Sequence, residues 1–243
     1  MVGDSSICFV NCHLAAGHNA IQHRNTDIAG ILEQKAVFSP TKDHPMAYNS
    51  GNDGTMILDH EFVVVSPFFF HYAFLVADLD SKLNGDMNYR IGGHHRDAII
   101  SSIHAGDLAS LLPHDQLLRE IKLNLGCRLR GFSEGPITFN PTYKYDLHSK
   151  EYDSSVKHRS PAWCDRILWR SRVANRVHQL HYKRYETDVS DHRPISAAFS
   201  LSVKKLDYEG REKSKMVLQA QWLEQQEKLL VAAKEFYTSQ AFI

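Results

Sequence analysis

The chain has 243 residues, of which 43% are hydrophobic and 23% charged, and its 28 basic residues balance its 28 acidic ones. This composition is typical of a folded soluble domain and excludes a disordered chain. A net charge of zero argues against a protein that mainly binds nucleic acid through nonspecific charge attraction. Four cysteines without a CxxC pair, and the lack of a signal peptide, predict a cytoplasmic protein with free thiols.

The pattern of apolar residues along the chain predicts a mixture of strands and helices. Residues 6–12 are predicted to form a strand that ends next to His13, and residues 19–35 a helix with one apolar face. Pro113 is expected to begin a later helix. The remaining predicted elements are helices at 95–111, 114–125 and 209–238, and strands at 164–170, 177–185 and 195–203. Without a strict βαβ repeat, this mixture indicates a packed α/β sandwich.

Three polar clusters stand at the ends of predicted strands. They are His13, the pair Asp86 and Asn88, and the pair Asp191 and His192. Taken singly, each has an ordinary structural explanation, since Asp-x-Asn commonly forms an Asx-turn and Ser-Asp-His is commonly a polar surface sequence. Taken together, they supply carboxylates to activate water and imidazoles to stabilise an anion.

Six motifs place the chain near one family. Residues 6–203 resemble the inositol polyphosphate 5-phosphatase family, within the deoxyribonuclease I-like endonuclease/exonuclease/phosphatase superfamily, by sequences found in the same order. These are NCHLAAG (11–17), HRNTD (23–27), GDMNYR (85–90), PTYKYD (141–146), RSPAWCDRILW (159–169) and SDHRPI (190–195). The resemblance implies a four-layer β-sandwich flanked by helices and Mg²⁺-assisted removal of a 5-phosphate from inositol polyphosphates or phosphoinositides.

The resemblance also implies roles in an in-line attack of water on phosphorus. Asp86 orients or deprotonates the water, and Asn88 hydrogen-bonds it and the phosphoryl oxygens. His192 contacts the phosphate, and Asp165 holds the tautomer of His192, as a carboxylate behind an imidazole generally does. The alternative for Asp165 is a plain salt bridge with Arg166.

Two further positions follow from the same resemblance. His13 is implied to donate to a phosphoryl oxygen, and Asp191 to lie near the metal and its water. The Glu that binds Mg²⁺ in the family has no counterpart in this chain, so Asp86 and Asp191 are the expected metal ligands. Because the chain matches from about a third of the way into the usual domain, we expect the fold to be incomplete at the N-terminus and the chain itself to be inactive.

Substrate contacts are expected from a basic loop, because a phosphate dianion is best held by several charged donors. The alternative is that these cations are ordinary solvated side chains. The resemblance places four residues on the phosphate next to the scissile one: Tyr143, Lys144, Lys157 and Arg159. It places Arg24 and Asn25 on other phosphates of the head group.

The domain organisation is predicted as a partial catalytic domain at 1–205 and a helical extension at 206–243. Residues 62–83 stand out as an atypical insertion, apolar and Phe-rich, which is either lipid-facing or not selected for this fold. Its apolar run of 16 residues, 62–77, is shorter than the roughly 20 that a membrane-spanning helix needs.

Two other functions remain open. One is a phosphodiesterase or nuclease on the same fold, which would not need the basic cluster. The other is a truncated, catalytically inactive remnant that serves as an interaction module through its C-terminal helix. Expected partners are an inositol phosphate or phosphoinositide head group, a membrane surface contacted peripherally, and a protein that binds the helix at 209–238, with no nucleic acid.

Overall fold

The computed structural model describes residues 2, 5–36, 55–66, 86–205 and 207–240. It divides into two units, Met1–Ser202 and Val203–Ile243. In the described ranges the helices are α1 (Ile21–Leu32), α2 (Arg96–His104), α3 (Leu108–Leu111), α4 (Gln116–Leu123) and α5 (Tyr208–Gln240), with 3₁₀ turns at Ile57–Asp59, Leu112–His114 and Arg128–Gly131. The strands are β1 (Ile7–Asn11), β2 (Lys35–Ala36), β3 (Thr55–Met56), β4 (Phe62–Ser66), β5 (Ser133–Glu134), β6 (Leu168–Ser171), β7 (Val177–Arg184) and β8 (Ile195–Leu201).

A four-stranded sheet of order β1–β4–β6–β5 carries the core of the first unit. Its inner strand β4 pairs parallel with β1 and antiparallel with β6. Val63 and Val65 lie in one hydrophobic cluster, whereas Val64 packs against the other. Successive side chains of a strand point to opposite faces, so the run of valines buries both faces of the sheet.

Different elements cover the two faces. Ile28 and Leu32 of α1 belong to the first cluster. The second cluster contains Ile99 of α2, Tyr182 of β7 and Ile195 of β8, and β7 and β8 form an antiparallel pair of their own. The predicted α/β class is therefore confirmed.

The helices at 95–111 and 114–125 differ from the prediction. The first is broken, because Gly106 adopts a positive φ of 71° and a new N-cap follows at Asp107, whose side chain accepts from Ser110 N at 3.1 Å. Pro113 lies in a 3₁₀ turn and does not begin α4. The cap is Asp115, which accepts from Leu118 N at 2.9 Å.

Two other boundaries also change. The strand predicted at 164–170 begins only at Leu168, because Cys164 O accepts from Met87 N at 3.0 Å and the segment before it is used in the site described below. Residues 62–66 of the supposed insertion form the inner strand β4. The start of that insertion was thus placed wrongly, and residues 67–83 lie outside the described residues.

The second unit consists mainly of α5, and the predicted helix at 209–238 is confirmed. Its polar side chains form ion pairs four residues apart, Lys213 with Glu209 at 3.0 Å and Lys228 with Glu224 at 2.7 Å. The unit holds no second helix or strand among the described residues that would cover its apolar side chains. In the described part of the chain, no helix is both long and apolar enough to cross a membrane.

Candidate active site

The candidate site begins where β1 ends. Asp86 N donates to Cys12 O at 3.1 Å, and Leu14 N donates to Asp86 O at 2.7 Å. This short parallel bridge sets His13 beside Asp86, with His13 exposed and Asp86 buried. Two residues 73 positions apart in sequence are therefore adjacent at one edge of the sheet.

Asp86 and Asn88 form an Asx-turn, which is the structural explanation that the sequence analysis gave for this pair. Asp86 Oδ1 accepts from Asn88 N at 2.6 Å, and Asn88 adopts a positive φ of 57°, which asparagine tolerates better than most residues. Only one carboxylate oxygen is used in this turn. The other, Oδ2, lies 3.8 Å from His192 Nε2, so the turn aims a carboxylate at an imidazole.

On its other side, His192 meets Asp165. His192 Nδ1 lies 2.9 Å from Asp165 Oδ2, and a carboxylate can only accept, so Nδ1 carries the proton. Asp165 is fully buried. The neighbouring Arg166 does not pair with it and binds instead to Asp115 at 2.8 Å and Glu134 at 2.6 Å.

The electrostatics of these three groups follow from burial and charge. Burial, together with the negative charge of Asp165, raises the pKa of Asp86 above its ordinary value. Burial acts to lower the pKa of His192. The hydrogen bond and charge of Asp165, with the charges of Asp86 and Asp191, outweigh it and raise that pKa. The raised pKa values favour the protonated form of His192 and make Asp86 harder to ionise than a solvent-exposed carboxyl group.

The PTYKYD segment lies against the same histidine. Tyr143 forms backbone bridges to both Ala162 and His192, and its ring centroid is 4.7 Å from that of His192. Lys144 Nζ lies 3.6 Å from Asp191 Oδ2, and both side chains are partly exposed. Tyr143 and Lys144 therefore border the site that contains His192.

The loop with Lys157 and Arg159 is joined to this segment through Asp153. Asp153 N donates to Lys144 O at 2.9 Å, and the Asp153 carboxylate accepts from Arg159 N at 2.8 Å. The side chains of Lys157 and Arg159 are exposed. The structure brings the predicted basic residues to one region and leaves these two cations accessible.

Arg24 and Asn25, which were predicted to contact head-group phosphates, form hydrogen bonds to other protein groups in the structure. Arg24 is fully buried, and its guanidinium donates to Gly17 O at 2.6 Å and Gln116 Oε1 at 2.7 Å, as well as to the carbonyls of Ala15 and His18. Asn25 donates to Glu120 at 2.7 Å and accepts from Tyr89 at 2.8 Å. These hydrogen bonds connect the 13–20 loop and α1 to α4, while Arg24 Nε has no hydrogen-bond partner among the described residues.

The predicted metal ligands do not complete a site. Over the described ranges, no group of three or more His, Cys, Asp or Glu side chains is arranged to hold an ion. Asp86 faces His192, and Asp191 faces Lys144. Mg²⁺ takes near-octahedral oxygen coordination and is usually held by one or two carboxylates with water and substrate oxygens, so these two carboxylates account for only part of its coordination.

Sequence reasoning missed Arg90 as a site residue. Its guanidinium carbon lies 4.3 Å from the centroid of the Tyr143 ring, and Nε donates to Asn88 O at 3.1 Å. The signal was present, because Arg90 is the last residue of the GDMNYR motif. Its contact with Tyr143 could not be predicted, because the two residues are 53 positions apart in the sequence.

Most of this chain is similar to proteins of a known family. Residues 1–198 match the model of the endonuclease/exonuclease/phosphatase family 2. A probable inositol polyphosphate 5-phosphatase of Schizosaccharomyces pombe is 41% identical over 98% of this chain and 18% of its own length. Synaptojanin of Caenorhabditis elegans is 37% identical over 85% of this chain and 15% of its own length. The chain thus spans less than a fifth of the length of these relatives.

A solved structure gives the corresponding match in three dimensions. It is the inositol polyphosphate 5-phosphatase domain of a synaptojanin, in complex with inositol (1,4)-bisphosphate and a calcium ion. It is 31% identical, with a TM-score of 0.68, over 95% of this chain and 56% of that chain. This match confirms the predicted fold class. The chain belongs to the endonuclease/exonuclease/phosphatase family 2, and the relatives named above include inositol polyphosphate 5-phosphatases.

Proposed function

We propose that the protein containing this chain removes the 5-phosphate from inositol polyphosphates or phosphoinositides. The observation that carries the proposal is the His192 imidazole, which lies 2.9 Å from Asp165 and 3.8 Å from Asp86 beside the Tyr143–Lys144 segment. The similar solved domain was crystallised with inositol (1,4)-bisphosphate, which lacks a 5-phosphate, as a product of this reaction would.

In the proposed reaction, a water oxygen bonds to phosphorus in line with the breaking bond to the inositol oxygen. Asp86 Oδ2, which lies 3.8 Å from His192 Nε2, accepts the proton of that water, and Asn88 orients the water and a phosphoryl oxygen. The inositol oxygen leaves with the electrons of the broken bond and takes up a proton from solvent. Protonated His192 neutralises charge that develops on the phosphoryl group. Catalysis of this kind depends mainly on positioning and electrostatic stabilisation, which suits a buried carboxylate beside a half-buried imidazole.

Substrate choice is assigned to the basic residues that border the site. Lys144, Lys157 and Arg159 would bind the phosphate next to the scissile one, with Tyr143 as a further contact. His13 is exposed next to Asp86 and would donate to a phosphoryl oxygen. A few cations in one loop region are compatible with the net charge of zero, since binding depends on local charge.

Mg²⁺ is proposed as the cofactor on the strength of the family resemblance. The similar solved domain holds a calcium ion, which is also a divalent, oxygen-preferring cation. Asp86 and Asp191 supply carboxylate oxygens, and the other ligands would be substrate oxygens, water or residues outside the described ranges. When bound, such an ion supplies charge neutralisation at the phosphate.

We further propose a cytoplasmic protein that meets membranes peripherally during phosphoinositide signalling. All four cysteines are free, as expected in a reducing compartment. Three apolar side chains near the basic loop, Leu147, Val156 and Val189, are 62%, 97% and 71% exposed. Apolar and basic side chains together favour an anionic lipid surface.

The C-terminal helix is proposed as a packing surface for the domain or for a partner helix. Its residues Met216, Leu223, Leu230 and Tyr237 recur every seven positions. Removing 209–243 would lower solubility without changing catalytic constants if the helix packs in cis. Concentration-dependent dimerisation that disappears with the helix, measured by sedimentation, would favour a partner helix.

The proposed activity is tested by phosphate release from a panel of inositol phosphates and phosphoinositides, with and without a 5-phosphate and with and without Mg²⁺. Because the chain itself is expected to be inactive, the assay is run on this chain and on the chain with a family-like N-terminal third restored, and the restored domain decides the outcome. His192→Ala, purified in parallel, controls for contaminating phosphatases. Release confined to 5-phosphates and absent from the variant supports the proposal. Cleavage of a phosphodiester or of plasmid DNA instead would show that the protein is a phosphodiesterase or nuclease. Binding without turnover would show that it is an interaction module.

A further inference from the structure

Arg90 is anchored in the backbone beside the site. Gln116, the first residue of α4, donates its backbone N–H to Arg90 O at 2.8 Å, and its side-chain Oε1 accepts from Arg90 N at 2.9 Å. Gln116 is itself buried and also bound by Arg24. The backbone of Arg90 is therefore held by the buried N-terminus of α4.

The guanidinium of Arg90 determines the orientation of the Asn88 amide. Nη2 of Arg90 donates to Asn88 Oδ1, and Nε donates to Asn88 O at 3.1 Å. Arginine has donors and no acceptor, so the amide oxygen must face it and Nδ2 must face the other way. There, Nδ2 donates to Leu14 O at 3.0 Å, which leaves its second hydrogen for a ligand.

The same guanidinium packs on the Tyr143 ring at 4.3 Å, a distance typical of a cation–π contact. That ring in turn contacts the imidazole of His192, with centroids 4.7 Å apart. One cation thus contacts the amide proposed to bind the reacting phosphate and the aromatic ring proposed to bind its neighbour. Through the ring, it is connected to the imidazole of His192.

We propose that Arg90 is a positioning residue that couples these two parts of the site, an inference that rests on the proposed function. It sets the amide of Asn88 by hydrogen bonds and the ring of Tyr143 by stacking, without contacting the substrate. Both contacts need a planar fork with several donors, which lysine does not have although it keeps the charge. Arg90→Lys therefore separates geometry from charge.

The experiment compares Arg90→Lys with a matched control, Arg176→Lys. Like Arg90, Arg176 donates to a side-chain oxygen, here Glu61 Oε2 at 2.7 Å, and lies over an aromatic ring, that of Phe62 at 5.1 Å. Two readouts are used. One is kcat and KM for substrates with and without the neighbouring phosphate, and the other is the NMR signals of the Asn88 side-chain amide and the His192 ring.

In Arg90→Lys we expect kcat to fall about 10- to 100-fold, the scale of a small misplacement of reacting groups. The preference for substrates with the neighbouring phosphate should fall as well. The Asn88 amide protons should exchange faster, and Arg176→Lys should leave all of these unchanged. If the wild-type sequence with a family-like N-terminal third restored shows no 5-phosphatase activity, the proposed function fails, but the NMR comparison still tests the role of Arg90.

Unchanged Asn88 and His192 signals in folded Arg90→Lys would overturn the inference, and so would equal changes in the control. If Arg90→Lys does not fold, Arg90→Gln is measured in its place. Failure of both variants to fold, with a folded control, would also overturn it, because Arg90 would then be a residue needed for folding.

Discussion

His192 donates through Nδ1 to the fully buried carboxylate of Asp165, with 2.9 Å between Nδ1 and Oδ2. The other oxygen of Asp165 is buried and has no hydrogen-bond partner among the described residues. The imidazole is thus the main compensation for a charge held away from water, which is costly when unpaired. This pair controls both the charge and the orientation of the histidine.

Asp165→Asn is expected to lower the pKa of His192, because the largest influence that raises it is removed. Turnover of the proposed reaction should fall about 10²- to 10⁴-fold, the scale of acid–base groups. NMR titration of the His192 ring and steady-state kinetics measure the two effects. The exposed Asp97→Asn serves as control, and an unchanged His192 titration would contradict the pairing.

The same pair makes stability depend on pH. The folded pKa of His192 is raised, so its contribution is fully present below the unfolded pKa and is lost as pH rises through the folded pKa. The stability advantage of the wild type over Asp165→Asn should therefore be larger at pH 6 than at pH 9. Urea unfolding across this range measures it, and an advantage that grows with pH would refute the assignment.

Asp86→Asn is expected to stabilise the protein while abolishing activity. The folded pKa of Asp86 is raised, so the wild type loses stability as pH rises from its ordinary value of 3.8 through the folded pKa. The variant should be more stable by about 0.5–2 kcal/mol at neutral pH, as is common when a functional group is removed. Below the unfolded pKa, this advantage should disappear, and thermal unfolding at both pH values tests that change.

The basic loop predicts substrate selectivity. Lys144→Ala and Lys157→Ala should weaken catalysis on substrates with a 4-phosphate far more than on those without it, by about 1.5–3 kcal/mol per lost charged hydrogen bond. The measurement is kcat/KM across the substrate panel, with exposed Lys122→Ala as control. Equal losses on all substrates would mean that these lysines provide only general attraction.

Arg24 is expected to matter for stability. Arg24→Met should lower the free energy of unfolding by about 2–5 kcal/mol, because buried carbonyls and Gln116 lose a charged donor. KM for every head group should stay unchanged in the fraction that remains folded. Urea unfolding compares it with exposed Arg119→Met, and a raised KM without loss of stability would restore the phosphate-binding prediction.

The sequence alone identified most of the elements. Strands at 177–185 and 195–203 and helices at 19–35 and 209–238 were predicted because their apolar spacing is local information. Boundaries failed where a long-range contact decided them, as at 164–167, whose backbone and side chains serve the site. Residues 62–66 were misjudged because a strand buried on both faces is a continuous apolar run, which resembles an insertion in sequence.

Motif order also determined the family and the residue types of the candidate site, since Asp86, Asn88, Asp165 and His192 stand in recognisable sequences. Only the tertiary structure decided what each side chain touches. Arg24 and Arg90 both lie within motifs, yet one is buried among carbonyls and the other stacks on Tyr143. Sequence records chemistry and spacing, whereas burial and partners depend on segments brought together by folding, some of them more than 50 residues apart in the chain.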